Sequence, residues 1–163
     1  MRILVIEDSI RLADTISDAL KKENYLVDSV YDGLSGYDNA ASDIYDIVIL
    51  DLMLPKMNGY DVLSKLRKTG HNVPVIILSA KTELEDKLLG FMNGADDYVT
   101  KPFEIQELLM RIQAICRRNL NQNPSLLQEG NLLLDLDSCE LKNSDTEKSM
   151  KISGKELQLL EFF

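Results

Sequence analysis

The sequence predicts an α/β fold built on a parallel sheet, carried by residues 1–118 of the 163. Three observations predict it. Short runs of Val, Ile and Leu recur without polar interruption, as strands buried on both faces require. Amphipathic segments with helical spacing lie between those runs. The composition, 45% hydrophobic and 28% charged, is that of a chain with a real core.

Residues 3–6 form the first strand. Ser9 is an N-cap candidate, after which Leu12, Ala13, Ile16, Ala19 and Leu20 share one helical face. Residues 25–30 are a weaker strand candidate, followed by a short helix near 34–41. The apolar runs 47–50 and 75–78 are two further strands, and helices are expected near 59–67 and 83–92. Residues 98–99 are a weak fifth strand. Beyond Pro102, Ile105, Leu108, Leu109, Ile112 and Ile115 again fall at helical spacing. Gly33, Gly70 and Gly94 punctuate the element ends. A strand–helix unit repeated in this way argues a parallel sheet with right-handed crossovers.

The pattern then changes. Residues 119–125 (NLNQNPS) are polar, contain Pro124 and read as a linker. Segments 132–136, 139–142 and 148–152 alternate and are separated by Asp, Asn and Ser, as in a small antiparallel meander. Ser153 and Glu156 have capping-box spacing, opening a helix at Lys155 that carries Leu157, Leu160, Phe162 and Phe163.

Charge and cysteine usage exclude several classes. The net charge is −9, with −5 through residue 120 and −4 beyond it. Neither part is electrostatically suited to nucleic acid or an anionic membrane. Cys116 and Cys139 lie far apart without a CxxC, which excludes a disulfide scaffold and a zinc cluster and suits a reducing cytosol. No apolar run approaches bilayer length, and the start MRILVIED is not a signal peptide, so a cytoplasmic location is expected.

Open α/β sheets bind ligands beyond the carboxyl ends of their strands. Glu7 and Asp8 follow the first strand and Asp51 the third; Ser79 follows the fourth, and Lys101 and Pro102 the fifth. Singly, each has a bland reading as a turn former, a helix cap or a loop residue. Together they bring three carboxylates, a hydroxyl and a lysine to one edge. Crowded carboxylates repel one another unless a cation sits among them. Oxygen donors without His or Cys suit a hard ion, magnesium above all. Magnesium, lysine and hydroxyl together would cradle a phosphoryl group in flight, with Asp51 as the nucleophile.

The segments ILVIEDS, DIVILDLMLPKMNGYDVL, PVIILSAK and GADDYVTKPF are similar to a response-regulator receiver domain of two-component signalling. GADDYVTKPF resembles the OmpR/PhoB transcription-factor subfamily in particular. The resemblance implies a five-stranded, doubly wound, flavodoxin-like receiver domain over 1–118. It implies Asp51 as phosphoacceptor, with magnesium held by Asp8, Asp51 and the Met53 carbonyl and by Glu7 through water. Ser79 and Lys101 would bind phosphoryl oxygens, a cis peptide would precede Pro102, and Pro55 and Gly59 would shape the loop after Asp51. Tyr98 matches a switch aromatic coupled to Ser79. The subfamily further implies a homodimer through the fourth helix, fifth strand and fifth helix. Its pairs would be Lys87–Glu107, Asp97–Arg111 and Asp96–Arg118, around Leu88 and Phe91.

Residues 126–163 resemble the start of an OmpR-type winged-helix effector domain, truncated before the recognition helix. Promoter DNA is therefore a partner expected only of a complete protein. The expected input partner is a sensor histidine kinase, docking near the exposed face of the first helix (Arg11, Asp14, Thr15, Asp18) and Pro102. The chain is not expected to be an enzyme beyond its own phosphorylation and dephosphorylation at Asp51. Two alternatives stand beside this reading. One is a stand-alone or non-switching receiver scaffold without DNA-binding output. The other is a magnesium-dependent aspartyl-phosphate phosphohydrolase, whose haloacid-dehalogenase-like relatives need an Asp where this chain has Met53. His71, the lone histidine, reads as a surface residue, and Cys116 as packing.

Overall fold

The computed structural model describes residues 1–122 together with 126–129, 132–135, 140–143 and 148–151. Five strands and five helices alternate in the first part: β1 (Arg2–Ile6), α1 (Ile10–Lys22), β2 (Leu26–Val30), α2 (Gly33–Ala40), β3 (Ile47–Asp51), α3 (Gly59–Lys68), β4 (Val75–Ser79), α4 (Leu84–Met92), β5 (Asp97–Thr100) and α5 (Ile105–Gln122). All strand pairings are parallel, in the order β2-β1-β3-β4-β5. The direction of winding reverses between β1 and β3, which makes their carboxyl ends the switch point where a crevice opens.

Burial explains why these runs are strands. Ile3 to Ile6, Ile47 to Leu50 and Val75 to Leu78 are at most 1% exposed, so helices cover both faces of the central sheet. β2 lies at the edge, and its Leu26 is 66% exposed. Side-chain oxygens cap the helices around the crevice. Ser9 accepts from the Leu12 amide at 3.4 Å, Asp32 from Ser35 at 2.8 Å and Asn58 from Asp61 at 2.9 Å.

α5 runs through Gln122, so residues 119–122 continue the helix where a linker was expected. Asn119, Leu120, Asn121 and Gln122 do not oppose helix formation, and the sequence's stop signal is Pro124. Residues 123–125 lie outside the described residues, as does the helix expected from Lys155. The chain divides into two compact units, Met1–Ile115 and Cys116–Phe163. The second holds an antiparallel sheet of β6 (Leu126–Glu129), β7 (Leu132–Asp135), β8 (Glu140–Asn143) and β9 (Lys148–Lys151), paired in chain order. The meander thus has a strand, β6, beyond the three expected segments. Among the described residues no helix is long and apolar enough to cross a membrane.

Two glycines lock the loops at the crevice. A Cβ on Gly59 would lie 2.3 Å from the Asp51 carbonyl oxygen, and one on Gly33 1.7 Å from that of Met57. Both α3 and α2 therefore start in backbone contact with the segment that follows β3. Gly59→Ala is expected to destabilise the chain by about 1–3 kcal/mol through forced backbone displacement. The midpoint of urea unfolding, compared with wild type, measures this.

Candidate phosphoryl-transfer site

Glu7 and Asp8 follow β1, and Asp51 ends β3, so adjacent parallel strands deliver three carboxylates to one point. One carboxylate oxygen from each lies within 4.8 Å of the others. Glu7 and Asp51 are 1% and 3% exposed, whereas Asp8 faces solvent. Two buried carboxylates side by side need compensation. Lys101, just past β5, provides it: its Nζ lies 2.7 Å from Glu7 Oε2 and 2.9 Å from Asp51 Oδ2. The backbone assists. The Ser9 amide donates to Glu7 Oε1 at 3.0 Å, and the Met53 amide to Asp51 Oδ1 at 3.1 Å.

The donor set fits a hard divalent cation. It offers oxygens alone, with one carboxylate open to solvent. Oxygens bound to the same magnesium are at most about 4.2 Å apart, and the 4.8 Å spread leaves room for one donor to act through water.

Ser79 ends β4, fully buried, and its Oγ accepts from the Lys81 amide at 3.1 Å. Tyr98 is 6% exposed, and its hydroxyl donates to the Lys81 carbonyl at 3.0 Å. Burial raises the Tyr98 phenol pKa above 10.0 against the opposing hydrogen bond with Ser79. The peptide between Lys101 and Pro102 is cis, as expected.

The surface expected to pair copies is partly satisfied inside one chain. Arg111 Nη1 lies 2.8 and 3.0 Å from the Asp97 carboxylate, and its Nε and Nη2 reach Glu107 Oε1 at 3.2 and 3.1 Å. Asp96 accepts from the Val75 amide at 2.9 Å and lies 3.5 Å from Arg67. Leu88 and Phe91 are 50% and 46% exposed, Arg118 is exposed, and Lys87 is half-buried. His71 is not a plain surface residue. Its side chain is 20% exposed and its Nδ1 meets Asp43 at 2.8 Å. Sequence reasoning missed Lys81, which joins Ser79 to Tyr98 through its backbone; its place two residues after Ser79 was the available signal.

The ion pairs make stability depend on pH. Burial holds the Glu7 pKa above its ordinary 4.5, against the hydrogen bond from Lys101. The stability favoured by protonated Glu7 is full below 4.5 and lost as pH rises through the raised value. Burial alone would lower Lys101, but its hydrogen bonds to Glu7 and Asp51 outweigh burial and raise it above 10.5. Its contribution is full below 10.5 and lost as pH rises through that higher value. Lys101→Met, without divalent cations at neutral pH, is expected to lose about 3–5 kcal/mol by leaving buried charge unpaired. The gap to wild type should narrow in acid, as Glu7 protonates, and again in strong alkali. Chemical denaturation across the pH range reads both limbs.

The model of the response regulator receiver domain matches residues 3–113. The transcriptional regulatory protein DltR of Streptococcus agalactiae is 43% identical over 163 residues, covering 100% of this chain and 72% of that protein. CiaR of Streptococcus pneumoniae, also named a transcriptional regulatory protein, is 43% identical over 100% of this chain and 71% of its own length. Among solved structures, the receiver domain of the Francisella response regulator 1452 superposes with a TM-score of 0.70 at 35% identity, covering 72% of this chain and 98% of that one. Response regulators receive phosphoryl groups from sensor kinases and regulate transcription. A receiver match across most of the first unit, and relatives aligned along the whole sequence, place the chain among the two-component response regulators of the OmpR/PhoB type.

Proposed function

We propose that the chain is switched by phosphorylation of Asp51 by a sensor histidine kinase in the cytoplasm. The observation that carries this reading is the buried Asp51 carboxylate within 2.9 Å of Lys101 and beside two further carboxylates. Asp51 Oδ is the nucleophile toward phosphorus, and the donor group leaves on the opposite side. Magnesium, bound by Asp8, Asp51 and the Met53 carbonyl with Glu7 through water, would supply the positive charge that the transferring phosphoryl group requires. Lys101 and Ser79 hold phosphoryl oxygens. Lys101 is already within reach of Asp51, so it needs only to trade a carboxylate oxygen for a phosphoryl oxygen. Catalysis is limited to the chain's own phosphorylation and dephosphorylation.

Ser79 and Tyr98 carry the signal onward, since both bond to the backbone of Lys81 and a pull on Ser79 changes the space and partners of the ring. The responding surface is α4, β5 and α5, which forms a two-fold homodimer around Leu88 and Phe91. Exposed apolar side chains in a rim of opposite charges support that role. In the dimer, Arg111 shares or exchanges its partners within the chain for Asp97 of the second copy, with Lys87–Glu107 and Asp96–Arg118 beside it. Residues 1–118 would act as receiver, 119–125 as the connection, and 126–163 as the beginning of a winged-helix effector domain. The antiparallel sheet of β6 to β9 supports the last assignment. Promoter DNA would be bound by a complete protein with its recognition helix.

Incubation with acetyl phosphate and magnesium is expected to add one phosphoryl group by intact mass. The adduct should vanish in Asp51→Ala and when magnesium is chelated. Gel filtration of the same samples should move the loaded chain to a dimer. Small-phosphoester turnover without an adduct at Asp51 would contradict the reading.

A further inference from the structure

α4 buries less of itself than α1 or α3 does. Its cap residue Glu83 makes no side-chain hydrogen bond to the first turn, and Gly90 is its one buried residue. Leu84, Leu88, Leu89, Phe91 and Met92 are 45% to 85% exposed. By contrast α1 and α3 each bury four residues and each carry a side-chain cap. Sparse burial places an element at the low-stability end of a fold, where single directed contacts decide its position.

Two phenol hydroxyls provide such contacts. Tyr98 donates to the Lys81 carbonyl, in the segment leading into the helix. Tyr60 donates to the Asp86 carbonyl, inside the first turn, at 3.1 Å. Lys81 reinforces the same corner: its Nζ lies 3.5 Å from Asp86 Oδ1 and 5.7 Å from the centre of the Tyr60 ring. Tyr60 belongs to the first turn of α3 and follows Gly59, which abuts the Asp51 backbone and whose amide donates to the Leu52 carbonyl at 2.9 Å. The hydroxyl that holds α4 is therefore one residue away from the anchor of the Asp51 loop. Burial, then the neighbouring Tyr98 and Asp86, keeps the Tyr60 phenol pKa above 10.0, so it remains a donor at neutral pH.

We propose that Tyr60 is a positioning residue of the switch: its hydroxyl latches α4 to the helix that starts on the Asp51 loop, so that loading of Asp51 reaches α4 through Tyr60 as well as through Tyr98. This rests on the reading of Asp51 as phosphoacceptor. Displacement of the loop carries Gly59 and Tyr60 with it, and the Tyr60–Asp86 bond either drags the first turn of α4 along or breaks and frees it. In both cases the route bypasses Ser79.

Tyr60→Phe removes the hydroxyl and keeps the ring, its packing and its contact with Lys81. Hydrogen exchange of the full chain, read by mass spectrometry on peptides covering Leu84–Met92, tests the latch. Loss of one neutral hydrogen bond should speed α4 exchange in the unloaded variant by about fivefold and leave α1 unchanged. With acetyl phosphate and magnesium, loading should alter α4 exchange by a smaller factor in Tyr60→Phe than in wild type, at equal adduct by intact mass. A purely structural role would multiply unloaded and loaded rates alike, and that result would overturn the proposal. So would α4 exchange identical to wild type in a chain that still takes the adduct. Wild type that takes no adduct would instead sink the phosphoacceptor reading, and the latch's role in the switch with it.

Discussion

The ammonium of Lys101 between Glu7 and Asp51 is the interaction on which the rest of the site depends. Two carboxylates that are 1% and 3% exposed lie side by side, an arrangement that folding opposes unless a charge of the other sign is present. Lys101 comes from the far end of the chain's first unit, and the strand order explains how it arrives. β1 and β3 are neighbours, β5 ends two strands away from β3, and a long flexible stem spans that distance. Ser9 and Met53 then use backbone amides on the remaining carboxylate oxygens, so main chain and the Lys101 ammonium together hold the acids. The loops are fixed in turn by the close approaches of Gly33 and Gly59, which leave no room for a side chain. A rigid acidic pocket with one exposed carboxylate, Asp8, leaves the solvent side open to a cation and to a phosphoryl donor.

Much of this was legible because the chemistry lies where strands end. Glu7, Asp8, Asp51, Ser79 and Lys101 each follow a predicted strand, and uninterrupted burial made β1, β3 and β4 plain. β2 was weak for a physical reason. It is an edge strand whose Leu26 is exposed and whose Asp28 and Ser29 bond to Arg2 and Ser17, so its pattern is not that of a core strand. The sequence does not mark the end of α5, because Asn119, Asn121 and Gln122 permit a helix as readily as a linker. β6 is not marked in the sequence because LLQE shows no alternation of its own, and its register with β7 supplies what the sequence lacks.

Other features could not be read at all from residue types. The Tyr60 and Tyr98 hydroxyls bond to backbone carbonyls of distant segments, and sequence does not say which carbonyl a hydroxyl will find. Charge pairing is ambiguous in a different way. Asp97 and Arg111 are complementary whether they meet in one chain or between two, and in a single chain they meet at 2.8 Å. A dimer that uses them must offer more than this half-buried pair already has. In the proposed dimer, the apolar surface of Leu88 and Phe91, 50% and 46% exposed, would be the larger driving force.

The same surface explains why α4 touches the sheet through a glycine. A Cβ at Gly90 would fall 2.9 Å from Ile77 Cδ1 and 3.3 Å from Tyr98 Cδ2, so the helix lies flush on both. A helix packed by an apolar side chain is keyed into a hole and resists sliding. One packed by a bare backbone is not keyed. It keeps its apolar residues for the outer face and takes its position from hydrogen bonds at its first turn. Two hydroxyls supply bonds there, Tyr60 on α3 to Asp86 in the first turn and Tyr98 on β5 to Lys81 in the segment before it. Directed bonds at the start of α4 and the flush Gly90 contact are then the features through which a small displacement at the acidic pocket would reach the helix.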